Sequence, residues 1–183
     1  EEILLKGNEK LNSYNDRYFC SVGRLEKVKN FNLLIEAFHN FRKKNPDYKL
    51  YILGEGSQYS SLLTHIKKLR EEDNIRLLGF KKNPYKYIKN SIGLIQSSRS
   101  ESFSYVLAEA NILGVPTLST KTQGSSYMGK YFDVIEVEHN VDGLVEGMVK
   151  LLDKKVFNAQ FIINNEAKKN FDMLFKGVLG NYE

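Results

Sequence analysis

Four side chains stand out for the chemistry that their types and spacing permit. Arg24 and Lys29 lie in GRLEKVKN (Gly23 to Asn30), and Glu101 and Glu109 lie in QSSRSESFSYVLAEANILG (Gln96 to Gly114). A guanidinium fork and an ammonium beside free backbone N–H groups at a helix start make a good clamp for a diphosphate. A solvated basic turn reads equally well from the same residues, and Lys27 between them reads as surface charge. Carboxylates are acceptors, which suits Glu101 and Glu109 to hydroxyl-rich groups such as a ribose or a hexose. The alternative is a solvent-facing Glu109 and a Glu101 that only complements a helix dipole. Against plain exposure, Glu109 sits among apolar Leu107, Ala108 and Ala110. Backbone N–H groups of Ser102, Phe103 and Ser104 stand where they could meet the same anion from the other side.

These residues need a scaffold, and the apolar patterning supplies one. Strand-like runs occur at Tyr18–Gly23, Tyr48–Gly54, Ile75–Phe80, Ile92–Ile95, Pro116–Thr120 and Asp133–Val137. Helical periodicity falls between them. It runs from about Asn30 to Lys44, with Phe31, Leu34, Ile35, Phe38 and Phe41 on one face and Asn45-Pro46 as the stop. It continues from a Ser57 N-cap to about Glu72, over Asn83–Asn90 with Pro84 in the first turn, and from about Phe103 to a C-capping Gly114. Helices over about Val141–Leu152 and Phe157–Leu179 complete the pattern, and Glu1–Asn15 reads as polar and irregular. The alternation predicts an α/β, Rossmann-like doubly wound parallel sheet. Ligands bind such sheets at the carboxyl ends of strands. Glu101 then sits at a strand end before a helix N-terminus, and Glu109 about two turns into that helix. Gly79, Phe80 and Lys81, at another strand end, could set backbone groups against a base.

Bulk properties narrow the classes. The 183 residues suit one compact domain, and the charge of +5 favours anionic partners. Nucleic acid, a phosphorylated small molecule and an anionic membrane surface all remain open on charge alone. A single Cys20 excludes an internal disulfide and reads as a buried, inert thiol. Three scattered histidines give no metal-ligand spacing. No apolar run reaches membrane-span length. P-loop, zinc-deaminase and G-x-S-x-G signatures are absent, and Gly54-Glu55-Gly56 lacks the third glycine of a dinucleotide fingerprint. Tyr85 and Tyr87 read as core or surface aromatics rather than a stacking platform for nucleic acid.

The ordered set SVGRLEKVKN…LIEAF, LYILGEGS, IRLLGF and SESFSYVLAEANILGVPTLST resembles the retaining glycosyltransferases of GT-B fold, the large family-four group. The resemblance covers about Tyr18 to Leu152, with the R-x4-K pair at Arg24 and Lys29 and the E-x7-E pair at Glu101 and Glu109. It implies that Gly23, Arg24 and Lys29 bind the diphosphate of a nucleotide-sugar donor of UDP or GDP type. Arg24 and Lys29 would stabilise the leaving diphosphate, Glu101 would contact the donor sugar, and Glu109 would accept the ribose hydroxyls. Ser102, Phe103 and Ser104 would supply backbone N–H groups, and the base would lie near Gly79, Phe80 and Lys81. It also implies transfer with retention, no cofactor and no metal, a saccharide or lipid-linked acceptor in surface or capsular polysaccharide synthesis, and no nucleic-acid partner. The implied location is cytoplasmic, with peripheral contact at the inner membrane face.

Serines stand at 102 and 104 where the family often has glycine, and TQGSSYMG (Thr122 to Gly129) keeps one clear glycine match, Gly124. Length is the largest departure, because a GT-B enzyme needs two such domains. The expected division is a linker over residues 1–16 from a missing N-terminal domain, a nucleotide-sugar-binding domain over 17–154, and a helical segment over 155–183. Alone, such a half would bind donor without transferring sugar. A non-catalytic nucleotide-sugar-binding module, or one subunit of a split enzyme, is the alternative. An epimerase or phosphorylase sharing this half would need a different carboxylate-and-histidine set or a cofactor lysine, and neither is present.

Overall fold

The structure, a computed structural model, describes residues 2–9 and 16–154. Six strands form one sheet, β1 (Arg17–Val22), β2 (Tyr48–Leu53), β3 (Ile75–Gly79), β4 (Gly93–Gln96), β5 (Thr117–Thr120) and β6 (Val134–Val137). Their spatial order is β3-β2-β1-β4-β5-β6, and every pairing is parallel. This is the doubly wound Rossmann-like sheet that the patterning predicts. A parallel sheet of this kind buries both faces, so its strands read as nearly continuous apolar runs.

Side-chain alternation along the strands splits the core into two layers. Phe19, Leu50 and Ile52 face one way, against α2 (Phe31–Arg42), α3 (Tyr59–Lys68) and α7 (Val141–Asp153). Tyr18, Cys20, Tyr51 and Leu53 face the other way. That second layer carries α1 (Glu2–Gly7), α4 (Tyr85–Lys89), α5 (Tyr105–Ile112) and α6 (Gln123–Met128). Cys20 is fully buried, and that burial pushes its thiol pKa far up. It is the inert thiol expected.

Several boundaries differ from the sequence reading, each for a local reason. Residues 2–7, within the stretch expected to be irregular, form α1, because Ile3 and Leu4 pack onto the second core layer. α3 stops at Lys68 rather than near Glu72. Arg70 there enters the left-handed region (φ 57°), and the Glu71 N–H turns back to the Ile66 carbonyl (3.1 Å). Ser57 does not cap α3. Its hydroxyl and N–H instead hold the Glu26 carboxylate, at 2.8 and 3.2 Å. α5 starts only at Tyr105, so Glu109 lies one turn in rather than two. It ends as expected at Gly114 (φ 74°), with Gly114 N–H bonded to Asn111 O and Val115 N–H to Ala110 O. α6 is an element the sequence reading lacks. Its Thr122–Ser125 capping box initiates it, and the Ser125 and Ser126 hydroxyls both donate to Glu136 on β6, at 2.6 and 2.8 Å. The expected helix over 157–179 falls outside the described residues.

Candidate active site

The sheet order places a topological switch point between β1 and β4. The chain leaves β1 toward β2 on one face and leaves β4 toward β5 on the other, opening a crevice at their carboxyl ends. Arg24 and Lys29 follow β1, and Glu101 to Ser104 follow β4, so the two sequence-predicted loops line that crevice.

The first loop is held by backbone bonds to its neighbour after β2. Gly23 N–H donates to Leu53 O (3.0 Å), Leu25 N–H to Glu55 O (2.8 Å) and Gln58 N–H to Leu25 O (2.9 Å), while the Leu25 side chain is fully buried. Gly54 makes this approach possible. At φ 140° a Cβ there would lie 1.9 Å from the Gly23 carbonyl oxygen. Pinned at Leu25, the loop leaves Arg24 exposed, and a 3-10 turn (Lys27–Lys29) carries Lys29 inward. The Arg24 guanidinium makes no hydrogen bond or ion pair among the described residues. Its charge instead helps, after the Ser57 hydrogen bonds, to hold the Glu26 carboxyl below its ordinary value.

The second loop is stitched to the first. Ser97 Oγ donates to Lys29 O (2.9 Å), and Arg99 N–H donates to Val28 O (2.8 Å). Across this seam Lys29 Nζ donates to Glu101 Oε1 at 2.5 Å, with the two side chains 23% and 13% exposed. Ser98 Oγ donates to the same oxygen at 2.6 Å. Behind Glu101, its carbonyl accepts from Gly124 N–H (2.7 Å), an approach so close that a Cβ on Gly124 would lie 2.9 Å from that oxygen. The N–H groups of Ser102, Phe103 and Ser104 donate to no protein acceptor among the described residues. Serine at 104 is accommodated without strain, because its φ of −110° needs no glycine. Its buried hydroxyl faces inward and accepts from Gln96 Nε2 (3.0 Å), leaving only its N–H toward the crevice loop.

Glu109 sits apart from that cluster, against α4. The Tyr85 hydroxyl donates to Glu109 Oε1 at 3.3 Å. Burial pushes the Glu109 carboxyl above its ordinary value, opposed by the Tyr85 hydrogen bond. Burial and the adjacent Glu109 charge push the Tyr85 hydroxyl up to about 12. A half-buried carboxylate held by Tyr85 is not the plainly solvent-facing residue of the alternative reading. Gly79 ends β3, two strands from β1, and Phe80 and Lys81 follow it. Their loop ties to the one after β2: Gly54 N–H donates to Gly79 O (2.9 Å) and Phe80 N–H to Glu55 Oε1 (3.3 Å). The Phe80 ring is 70% exposed. A cavity of about 480 Å³ opens on the flank of the first loop, lined by Glu26, Lys27, Asn30 and Arg99 among others, and none of the four leading residues lines it. Among the described residues no three His, Cys, Asp or Glu side chains converge as a metal site requires.

Ser98, Tyr85 and the Gly124 contact were not predicted as parts of the site. Ser98, three residues before Glu101, was within reach of a spacing argument. Tyr85, 24 residues from Glu109, was not.

Comparison with known proteins decides the family, since the model for "Glycosyl transferases group 1" matches residues 6–169. The chain belongs to the group 1 glycosyl transferases. Within that family it is 35% identical over 179 residues to the Campylobacter jejuni N-acetylgalactosamine-N,N'-diacetylbacillosaminyl-diphospho-undecaprenol 4-alpha-N-acetylgalactosaminyltransferase, covering 94% of this chain and 45% of that protein. It is 30% identical over 112 residues to the Bacillus anthracis N-acetyl-alpha-D-glucosaminyl L-malate synthase, covering 61% and 29%. This group 1 chain thus spans less than half the length of these curated relatives. Among solved structures it superposes on a Rickettsia africae glycosyltransferase (TM-score 0.73, 16% identity, 98% of this chain and 55% of that one). It also superposes on Anabaena HepE in complex with UDP and glucose (TM-score 0.70, 17% identity, 88% and 49%). At those identities the likeness concerns the fold, which is that of one Rossmann-like half of a GT-B enzyme.

Proposed function

We propose that this chain is the donor-binding half of a retaining, metal-independent glycosyltransferase. It would use a nucleoside-diphosphate sugar of UDP or GDP type and act at the cytoplasmic face of a membrane on a saccharide or lipid-linked acceptor. The observation that carries the reading is the Lys29–Glu101 ion pair across the switch-point crevice, beside the unpartnered N–H groups of Ser102 to Ser104. A cation, an exposed guanidinium and three N–H groups without protein acceptors are the elements an anion site needs. The names of the C. jejuni relative and of a Staphylococcus aureus poly(ribitol-phosphate) alpha-N-acetylglucosaminyltransferase support a lipid-linked or polymer acceptor. The HepE complex supports a uridine nucleotide with a hexose.

The chemistry follows from competition for Lys29. Glu101 neutralises it across the crevice. An entering diphosphate takes over Lys29 together with Arg24 and the N–H groups of Ser102 to Ser104. Glu101, still oriented by Ser98 and Gly124, is then free to accept hydroxyls of the donor sugar. As the glycosidic bond breaks, negative charge grows on the leaving diphosphate, where preorganised cations and N–H dipoles act most strongly. Glu109, half-buried and short of donors, accepts the ribose hydroxyls, and the base lies along Gly79, Phe80 and Lys81. Residues 17–154 form this half, and residues 1–16 link it to an N-terminal domain that holds the acceptor. Alone, the chain binds donor without transferring sugar.

Titration calorimetry of the chain with UDP, GDP and ADP tests the assignment. Binding of one of them, weakened at least about tenfold by Arg24→Ala and by Glu109→Ala, supports it. No binding by any, or binding indifferent to both substitutions, overturns it.

A further inference from the structure

The carboxylate of Glu109 has one hydrogen-bond donor among the described residues, the Tyr85 hydroxyl, although the group is half-buried. A half-buried carboxylate with a single donor keeps most of its acceptor capacity open, and only one of its two oxygens is engaged. Tyr85 is itself firmly placed. It is the first residue of α4, and its N–H donates to Asn83 Oδ1 (3.1 Å). Asn83 Nδ2 in turn donates to Lys6 O (2.9 Å), which ties the start of α4 to α1. Its ring packs on the second core layer.

We propose that Tyr85 is a positioning residue for the nucleotide ribose: its hydroxyl fixes Oε1 of Glu109 and turns Oε2 toward the ribose cis-diol. The proposal rests on the reading of Glu109 as the ribose acceptor and adds the group that makes it selective for a diol. With Oε1 occupied, the carboxylate presents one oxygen along one direction, which orients two adjacent hydroxyls better than a freely rotating group does. Tyr85 also opposes protonation of Glu109, since a hydrogen bond donated to the charged form favours that form. Its own proton stays on throughout the neutral range, because its pKa lies near 12. The groups bearing on Glu109 are the Tyr85 hydroxyl from α4 and, through Tyr85, the Glu2 carboxylate from α1. No cation is paired with Glu109 among the described residues.

The test measures affinity of the 183-residue chain for UDP, GDP and ADP, and for the 2′,3′-dideoxy analogue of whichever binds, across about pH 5 to 8. Tyr85→Phe keeps the ring and removes only the hydroxyl. It is expected to weaken the ribonucleotide about three- to tenfold, leave the dideoxy analogue unchanged, and move the acid-side fall in affinity to higher pH. Glu109→Gln should abolish that acid-side fall and remove the preference for the ribonucleotide. If Glu109→Gln does this while Tyr85→Phe changes neither preference nor pH profile, the Tyr85 role is refuted and the site stands. If Glu109→Gln leaves the ribose preference intact, or if no nucleotide binds, the ribose assignment itself falls and takes the Tyr85 role with it. A Tyr85→Phe loss that is equal for both nucleotides marks a merely structural role and also refutes the proposal.

Discussion

Glu109→Gln should stabilise the empty chain while it weakens nucleotide binding. The carboxylate is half-buried, its pKa is raised above 4.5, and its one donor among the described residues is 3.3 Å away. Below pH 4.5 the folded and unfolded chains both carry it protonated, and its charge has no effect on stability. As pH rises, the unfolded chain ionises first, so stability falls until the folded carboxyl also ionises, and near neutral pH the full penalty remains. An under-satisfied, half-buried acceptor of this kind costs on the order of 1 kcal/mol. Glutamine keeps the Oε1 acceptor for Tyr85 and removes the charge. For a chain of this size that amounts to a rise in Tm of about 2–4 °C at about pH 7, shrinking toward zero at about pH 4. In the proposed ribose role of Glu109, the same change would replace charge-assisted bonds by neutral ones and should weaken nucleotide binding about tenfold. Circular-dichroism melts of both chains at the two pH values, with calorimetry at the higher one, measure all of it. A lower Tm at neutral pH, or an equal gain at both pH values, would refute the picture of a strained ligand-awaiting carboxylate.

Other substitutions probe the scaffold around it. Lys29→Ala leaves Glu101 with only the Ser98 hydroxyl, and should cost about 2 kcal/mol in urea unfolding, with Lys29→Ala/Glu101→Ala costing less than the sum of the single changes. Gly54→Ala drives a methyl into the Gly23 carbonyl. The unfolding free energy from urea titration should fall by roughly 2 kcal/mol or more, and nucleotide affinity should fall with it because Arg24 moves. Cys20 should resist thiol reagents in the native state and react only at the rate of unfolding, as timed by absorbance. Burial pushes the Glu71 carboxyl up, but hydrogen bonds from His39, Asn74 and Arg42 together hold it below its ordinary 4.5. Its contribution is present above 4.5 and is lost as pH falls through the depressed folded value, so Glu71→Gln should flatten acid unfolding below pH 4.5.

The strands and the long helices were legible because their apolar residues are numerous and local in pattern. Phe31, Leu34, Ile35, Phe38 and Phe41 mark α2 without any tertiary help, and all five are buried. α1 and α6 were not legible, since neither has a stripe to read. α1 depends on Ile3 and Leu4 meeting the second core layer, and α6 on a capping box plus the Glu136 carboxylate from another strand. The site divides in the same way. Arg24, Lys29 and Glu101 could be singled out by type and spacing, because the loops after β1 and β4 must meet at the switch point. That Lys29 binds Glu101 itself depends on how the two loops are stitched together, and that Tyr85 reaches Glu109 depends on how α4 and α5 dock, neither of which residue spacing encodes.

Glu136 has a reach larger than its place on an edge strand suggests. β6 pairs only with β5, so among the described strands on that side it is the one most open to fraying. Its carboxylate fastens Ser125 and Ser126, those serines anchor the start of α6, and Gly124 of α6 grips the carbonyl of Glu101. Peeling of the sheet margin and loosening of the Glu101 loop are therefore one cooperative event. The amide of Gly124 should exchange with solvent in step with those of β6, so that the rhythm of the outermost strand sets how long Glu101 stays aimed.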